Sequence, residues 1–135
     1  MLKQILVVAL SILLSTYCTA MPPFKGKIYT PGDIHQFKAL LQTNDFVIVD
    51  FFAEWCSACK QMKKAIESLA QDKEFDNILF VNINTEYHRA LAAEYHVFSL
   101  PTVILFVDGT PIHTVYGYYD KKTLKQIIRD TFFSY

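Results

Sequence analysis

Three apolar runs set the terms on which this chain can fold. FVIVDFF (46–52), NILFVNIN (77–84) and PTVILFVDG (101–109) are almost continuously apolar and rich in β-branched and aromatic residues. A strand with one wet face alternates apolar and polar residues, so runs like these predict strands covered on both faces. Helical spacing fills the gaps between them. Ile34, Phe37, Leu40 and Leu41 mark a helix that ends near Asn44. TPGD (30–33) opens it, with Thr30 as N-cap and Pro31 at the first helical position. Met62, Ile66, Leu69 and Ala70 form the stripe of a helix from Ser57 to about Gln71. EYHRALAAEYH (86–96) predicts a third helix, with Tyr87, Leu91 and Tyr95 four apart. DKKTLKQIIRDTFF (120–133) predicts the last, with Asp120 as N-cap. KIY (27–29) reads as a short first strand. PIHTVYGY (111–118) pairs back on the third run through an Asp108-Gly109 turn.

The resulting order is β-α-β-α-β-α-β-β-α. Its alternating first part predicts parallel strands joined by right-handed crossovers, and its hairpin adds antiparallel ones. The expected fold class is therefore α/β, a three-layer α/β/α sandwich on a mixed central sheet. The 135 residues suffice for one domain, and with 52% apolar residues that domain builds a core without disulfide scaffolding. Formal charge is zero and no basic run exceeds two residues, which gives no support for a nucleic-acid surface.

Residues 1–20, MLKQILVVALSILLSTYCTA, have a different character. One early cation, Lys3, precedes an apolar stretch from Ile5 to Leu14, and small and polar residues follow. This is the three-part pattern of a secretory signal peptide, with cleavage expected after Ala20. The alternatives are retention as a membrane anchor, although the stretch is short for a span, and lipidation at Cys18. Residues 21–26, MPPFKG, read as a linker, and 27–135 as the domain. Cleavage removes Cys18 and leaves Cys56 and Cys59 as the only cysteines.

Those two cysteines, in WCSACK, fall where a buried strand ends and a helix begins. The free N–H groups and positive dipole end of a helix N-terminus favour thiolate, so the Cys56 pKa is expected below the free value of ~8.5. Cys59 follows one turn later. An exposed attacking thiolate with a shielded neighbour is the minimum for thiol–disulfide exchange. Other readings stay open. A staple across so short a loop constrains the unfolded chain little. A structural zinc site normally needs four ligands, and His35, His88, His96 and His113 show no paired spacing. An inert buried pair is the third. Asp50 interrupts the first apolar run, and a carboxylate buried on both faces is expected to have a raised pKa.

The segment VDFFAEWCSACK resembles the active-site segment of the thioredoxin superfamily. SLPT (99–102) is similar to its cis-proline segment, and the strand VILFVDG and Gly117 follow in the family order. The likeness runs over about residues 27–133. The Cys-Ser-Ala-Cys-Lys form with Leu-Pro-Thr is also similar to the C-terminal domain of the bacterial periplasmic thiol:disulfide interchange transporter.

The resemblance implies Cys56 as nucleophile, Cys59 as resolving thiol and Asp50 as proton acceptor or donor behind Cys59. It implies a cis peptide before Pro101, with the Leu100 backbone pairing to an extended substrate. It places Trp55 beside the sulfurs as an apolar docking surface. It implies a thiol:disulfide oxidoreductase without organic cofactor or metal, acting on protein disulfides or dithiols. With the leader, this predicts a monomeric reductase in the periplasm or secreted, fed by a membrane electron-donor protein. A disulfide oxidase or isomerase, or a redox-independent binding or chaperone module, are the alternatives.

The sequence also departs from the family. Phe80 stands where many members carry a lysine near the buried aspartate, and Lys64 where a proline usually kinks the helix. Ser57-Ala58 puts no histidine between the cysteines, which points away from an oxidising potential near ~−120 mV and toward ~−270 mV.

Overall fold

The computed structural model describes residues 26–134. The expected leader, its cleavage site and all of the linker but Gly26 lie outside the described residues. The strands are β1 (Ile28–Tyr29), β2 (Phe46–Phe52), β3 (Leu79–Asn84), β4 (Thr102–Val107) and β5 (Thr110–Tyr116). The helices are α1 (Ile34–Thr43), α2 (Ser57–Ala70), α3 (Arg89–Glu94) and α4 (Lys121–Phe132), with a 3₁₀ turn at Lys73–Phe75. The sheet order is β1-β3-β2-β4-β5. β1, β3 and β2 run parallel, whereas β4 is antiparallel to both β2 and β5. This is the mixed sheet that the element order predicts.

Alternation along β2 sorts the two faces. Val47, Val49 and Phe51 pack with Phe37 and Leu41 of α1 and Leu91 of α3. Ile48 faces the other way and packs with Met62, Ile66 and Leu69 of α2 and Leu124 and Ile128 of α4. Both faces are covered, so a near-continuous apolar sequence is what β2 requires. α2 runs unbroken for 14 residues through Lys64, consistent with the absence of a proline at that position.

Local hydrogen bonds move three boundaries. Asp33, not Thr30, caps α1: its carboxylate accepts the Gln36 N–H at 2.8 Å. The Gln36 side chain in turn accepts the Gly32 N–H, so Pro31 stays outside the helix. α3 starts at Arg89 rather than near 86. Asn84 Oδ1 accepts the Glu86 N–H, and the Thr85 N–H and hydroxyl both donate to the Phe52 carbonyl. These bonds hold 84–88 as a turn against β2, and Tyr87 leaves the expected apolar stripe for solvent. The 3₁₀ turn, capped by Asp72, fills a stretch that has no clear periodicity.

The Asp108-Gly109 turn forms as its sequence predicts. Both residues have positive φ, 49° and 76°, the backbone a two-residue hairpin of this hand demands.

Candidate active site

The strand β2 ends at Phe52, and a tight loop carries the chain to α2. Within it the Cys56 N–H donates to the Ala53 carbonyl. Cys56 is the N-cap of α2, and its Sγ accepts the Cys59 N–H at 3.1 Å. A sulfur in this place meets free amide groups and the positive end of the helix, both of which stabilise negative charge. Cys56 and Cys59 form a disulfide, with Cα atoms 5.2 Å apart. Both are largely buried, Cys59 the more so. Ala53, Phe52, Ala58 and Leu100 pack around them.

Leu100 belongs to the loop before β4. The Leu100–Pro101 peptide bond is cis. Two bonds fix that loop: the Thr102 hydroxyl donates to the Ser99 carbonyl at 2.7 Å, and the Gly117 N–H to the Pro101 carbonyl at 2.9 Å. Gly117 has φ 81°, a conformation that favours glycine. Leu100 thus reaches the disulfide from the loop before β4, and Gly117, after β5, holds that loop.

Asp50 lies in register with Asn82 of β3 and Val103 of β4. Like Val103, it is on the face that α2 covers. It is 3% exposed, and its Oδ1 has no hydrogen-bond partner among the described residues. Burial pushes its carboxyl up to about 7, against the opposing pull of the Lys63 ammonium. Phe80 sits on the same face, packed with Ile48. Lys63 went unremarked in the sequence, although its position four residues after Cys59 places it on the same helical row.

Trp55 is 72% exposed beside Cys56, so it is a surface residue and not core. Cys56, Cys59, Leu100 and Pro101 converge at one end of the sheet, and Asp50 lies beneath α2, two residues before the end of β2. Among the described residues no group of three or more His, Cys, Asp or Glu is arranged to hold a metal ion.

A disulfide at a helix cap, with a buried carboxyl group that burial pushes up to about 7 beneath the same helix, has the equipment of a thiol:disulfide oxidoreductase. The comparisons agree. The thioredoxin family model matches residues 31–130. Thioredoxin of Chlamydia caviae is 40% identical over 92 residues, which cover 68% of this chain and 87% of that protein. Thioredoxin of Mycoplasmoides gallisepticum is 38% identical over 90 residues, covering 67% and 88%. Among solved structures, a thioredoxin variant from Halobacterium salinarum superposes with a TM-score of 0.73 at 28% identity, over 83% of this chain and 95% of that one. The chain belongs to the thioredoxin family, and its activity is thiol:disulfide exchange.

Proposed function

We propose that the protein reduces protein disulfides outside the cytoplasm. The observation that carries this reading is the Cys56–Cys59 disulfide at the N-terminus of α2. In the reduced protein the Cys56 thiolate attacks one sulfur of a substrate disulfide. A mixed disulfide forms and the first substrate thiolate leaves. Cys59, deprotonated with Asp50 as acceptor, attacks Cys56 Sγ and expels the second substrate thiolate. Two electrons pass to the substrate, and the protein is left with the Cys56–Cys59 disulfide. Asp50 suits this role because a group with a pKa of about 7 both takes and returns a proton near neutral pH. Leu100 packs beside the sulfurs and Pro101 follows it through a cis peptide bond, and an extended substrate segment pairs with the backbone of this loop. Trp55 supplies exposed apolar surface next to Cys56.

The compartment follows from the leader pattern of residues 1–20. An oxidising compartment offers no cytosolic reductant, so a membrane electron-donor protein returns the dithiol. The domain works as a monomer, with no cofactor between donor and substrate.

The test is the equilibrium reduction potential of the pair. A value near ~−270 mV supports a reductase. A value at or above ~−180 mV overturns the direction and makes the protein an oxidase or isomerase.

A further inference from the structure

A groove of about 290 Å³ runs between α2 and the start of α4. Gln61, Lys64, Ala65 and Ser68 line it from α2, and Tyr118 and Lys121 line it from the other side. Both walls are joined to the reactive site. Gln61 lies two residues after Cys59, and Tyr118 follows Gly117, whose N–H donates to the Pro101 carbonyl. Lys64 stands eight residues after Cys56, the cap of α2, which is about 12 Å at the ordinary helical rise.

The groove is basic. Lys64 and Lys121 are exposed, and unlike Lys38, Lys125 and Arg129 neither makes an ion pair with another of the described residues. The hydroxyls of Ser68 and Tyr118 and the amide of Gln61 add donors, and none of the residues that line the groove is a carboxylate. Lys60 precedes Lys64 by one turn on the same row of α2, and Lys122 adjoins Lys121. In a chain whose charges balance at 13 of each sign, this concentration leaves the remainder acidic. Lys64 occupies the position at which family members usually carry a proline, so the groove's cation is particular to this chain.

We infer that the groove receives carboxylate side chains of a redox-partner polypeptide, with an Asp or Glu about four residues from the partner's reactive cysteine. This deepens the reductase reading, and rests on it, by naming the class of substrate. Charge complementarity chooses the occupant, because ammonium groups without partners attract anions and hold them at close range. Reach sets the spacing, since an extended segment covers about 12 Å in four residues. A polyanion fits less well. A nucleic-acid backbone or an anionic bilayer presents dense charge and calls for a broad basic field. No basic run in this chain exceeds two residues, Glu67 lies one turn from Lys64, and Asp120 adjoins Lys121.

The experiment compares cystine peptides of equal length as substrates of the reduced protein, with Glu, Gln or Lys four residues from the cysteine. Hydroxyethyl disulfide is the uncharged control, and the dithiol peptides are offered to the oxidised protein in parallel. At low salt kcat/KM should fall in the order Glu, Gln, Lys, by about threefold to tenfold from Glu to Gln, and high salt should erase the difference. Lys64→Gln and Lys121→Gln should each reduce the Glu preference by about twofold to fivefold and leave hydroxyethyl disulfide unchanged. Lys64→Arg should keep the preference and Lys64→Glu should turn it toward the Lys peptide. Lys73→Gln, in the 3₁₀ turn beyond the end of α2, should change nothing.

Equal turnover of the three peptides overturns the groove. So does a Glu preference that survives when Lys64 and Lys121 are both replaced, because the recognition then lies elsewhere. An equal loss by the Gln variants on hydroxyethyl disulfide overturns it as well, since the lysines then act only on the fold. Binding of phosphatidylglycerol vesicles that the double replacement abolishes, without peptide preference, overturns it in favour of a membrane. A Glu preference confined to oxidation of the dithiol peptides, with no cystine peptide reduced, leaves the groove standing and removes the reductase reading.

Discussion

The two ends of the sheet are built on opposite terms. At the end away from the disulfide, the connections close on themselves. The Asp108 N–H donates to the Asp45 carbonyl, the Asn44 amide to the Leu40 carbonyl, and the Ile78 N–H to the Phe75 carbonyl. The turns at 44–45, 76–78 and 108–109 carry Asn, Asp and Gly, and none of the exposed large apolar side chains among the described residues falls in them. The catalytic end holds the buried Asp50 carboxyl, whose Oδ1 has no hydrogen-bond partner among the described residues, and exposed rings that include Trp55, Tyr87, Phe98 and Tyr118. The far end closes its turns with short-range backbone and side-chain hydrogen bonds. The other end carries the disulfide and, beneath α2, the buried Asp50 carboxyl.

That contrast predicts where a substitution changes activity and where it changes only stability. The largest effect is at Cys56. Cys56→Ser removes the nucleophile, and turnover of a protein disulfide should fall by about a thousandfold or more. Cys59→Ser should instead accumulate a mixed disulfide at Cys56, visible as added mass on the intact protein. Retained biological function in Cys56→Ser, with turnover lost, would place function in binding alone.

Asp50 comes next, and its effect has a sign. Its carboxyl is near 3.8 in the unfolded chain and about 7 in the fold. Between those values the folded protein holds a proton that the unfolded chain has released, so stability falls as pH rises through this window and the loss is complete above about 7. The shift corresponds to a penalty on the order of 4 kcal/mol. Asp50→Asn should therefore stabilise the oxidised protein by up to that amount at about pH 8, and by very little below about pH 4. Urea unfolding at several pH values measures this, and a gain independent of pH would contradict it. The same variant should prolong the mixed disulfide, because Cys59 loses its acceptor.

The smallest expected effect tests the far end. Gly109 has φ +76°, and an added Cβ would stand 3.4 Å from the Leu41 carbonyl oxygen. Gly109→Val should cost about 1–2 kcal/mol or somewhat more, lowering the unfolding midpoint while the reduction potential stays in place. A shifted potential would mean that the two ends are coupled and would end the comparison.

Much of this molecule was legible in its sequence because the deciding interactions are local. Apolar runs gave the strands, WCSACK gave a helix start with a cysteine at its cap, and Asp120 caps α4 through the Lys122 and Thr123 N–H groups. Boundaries failed where partners came from elsewhere. The spacing of Tyr87 with Leu91 matched a helix, but Thr85 bonds to the end of β2, far away in sequence, and the turn prevails. Thr30 looked like a cap, yet its hydroxyl hydrogen-bonds Asn82 of β3 and Asp33 takes its place.

The sequence alone determined the fold class, the reactive pair and the buried position of Asp50, because periodicity, helix-start geometry and an interrupted apolar run act over a few residues. Only the tertiary structure decided that β1 joins the sheet beside β3, that Leu100 packs on the disulfide, and that four aromatic residues from separate loops share one end. Those relations join residues tens of positions apart, and nothing in a local pattern records which loops a sheet will bring together.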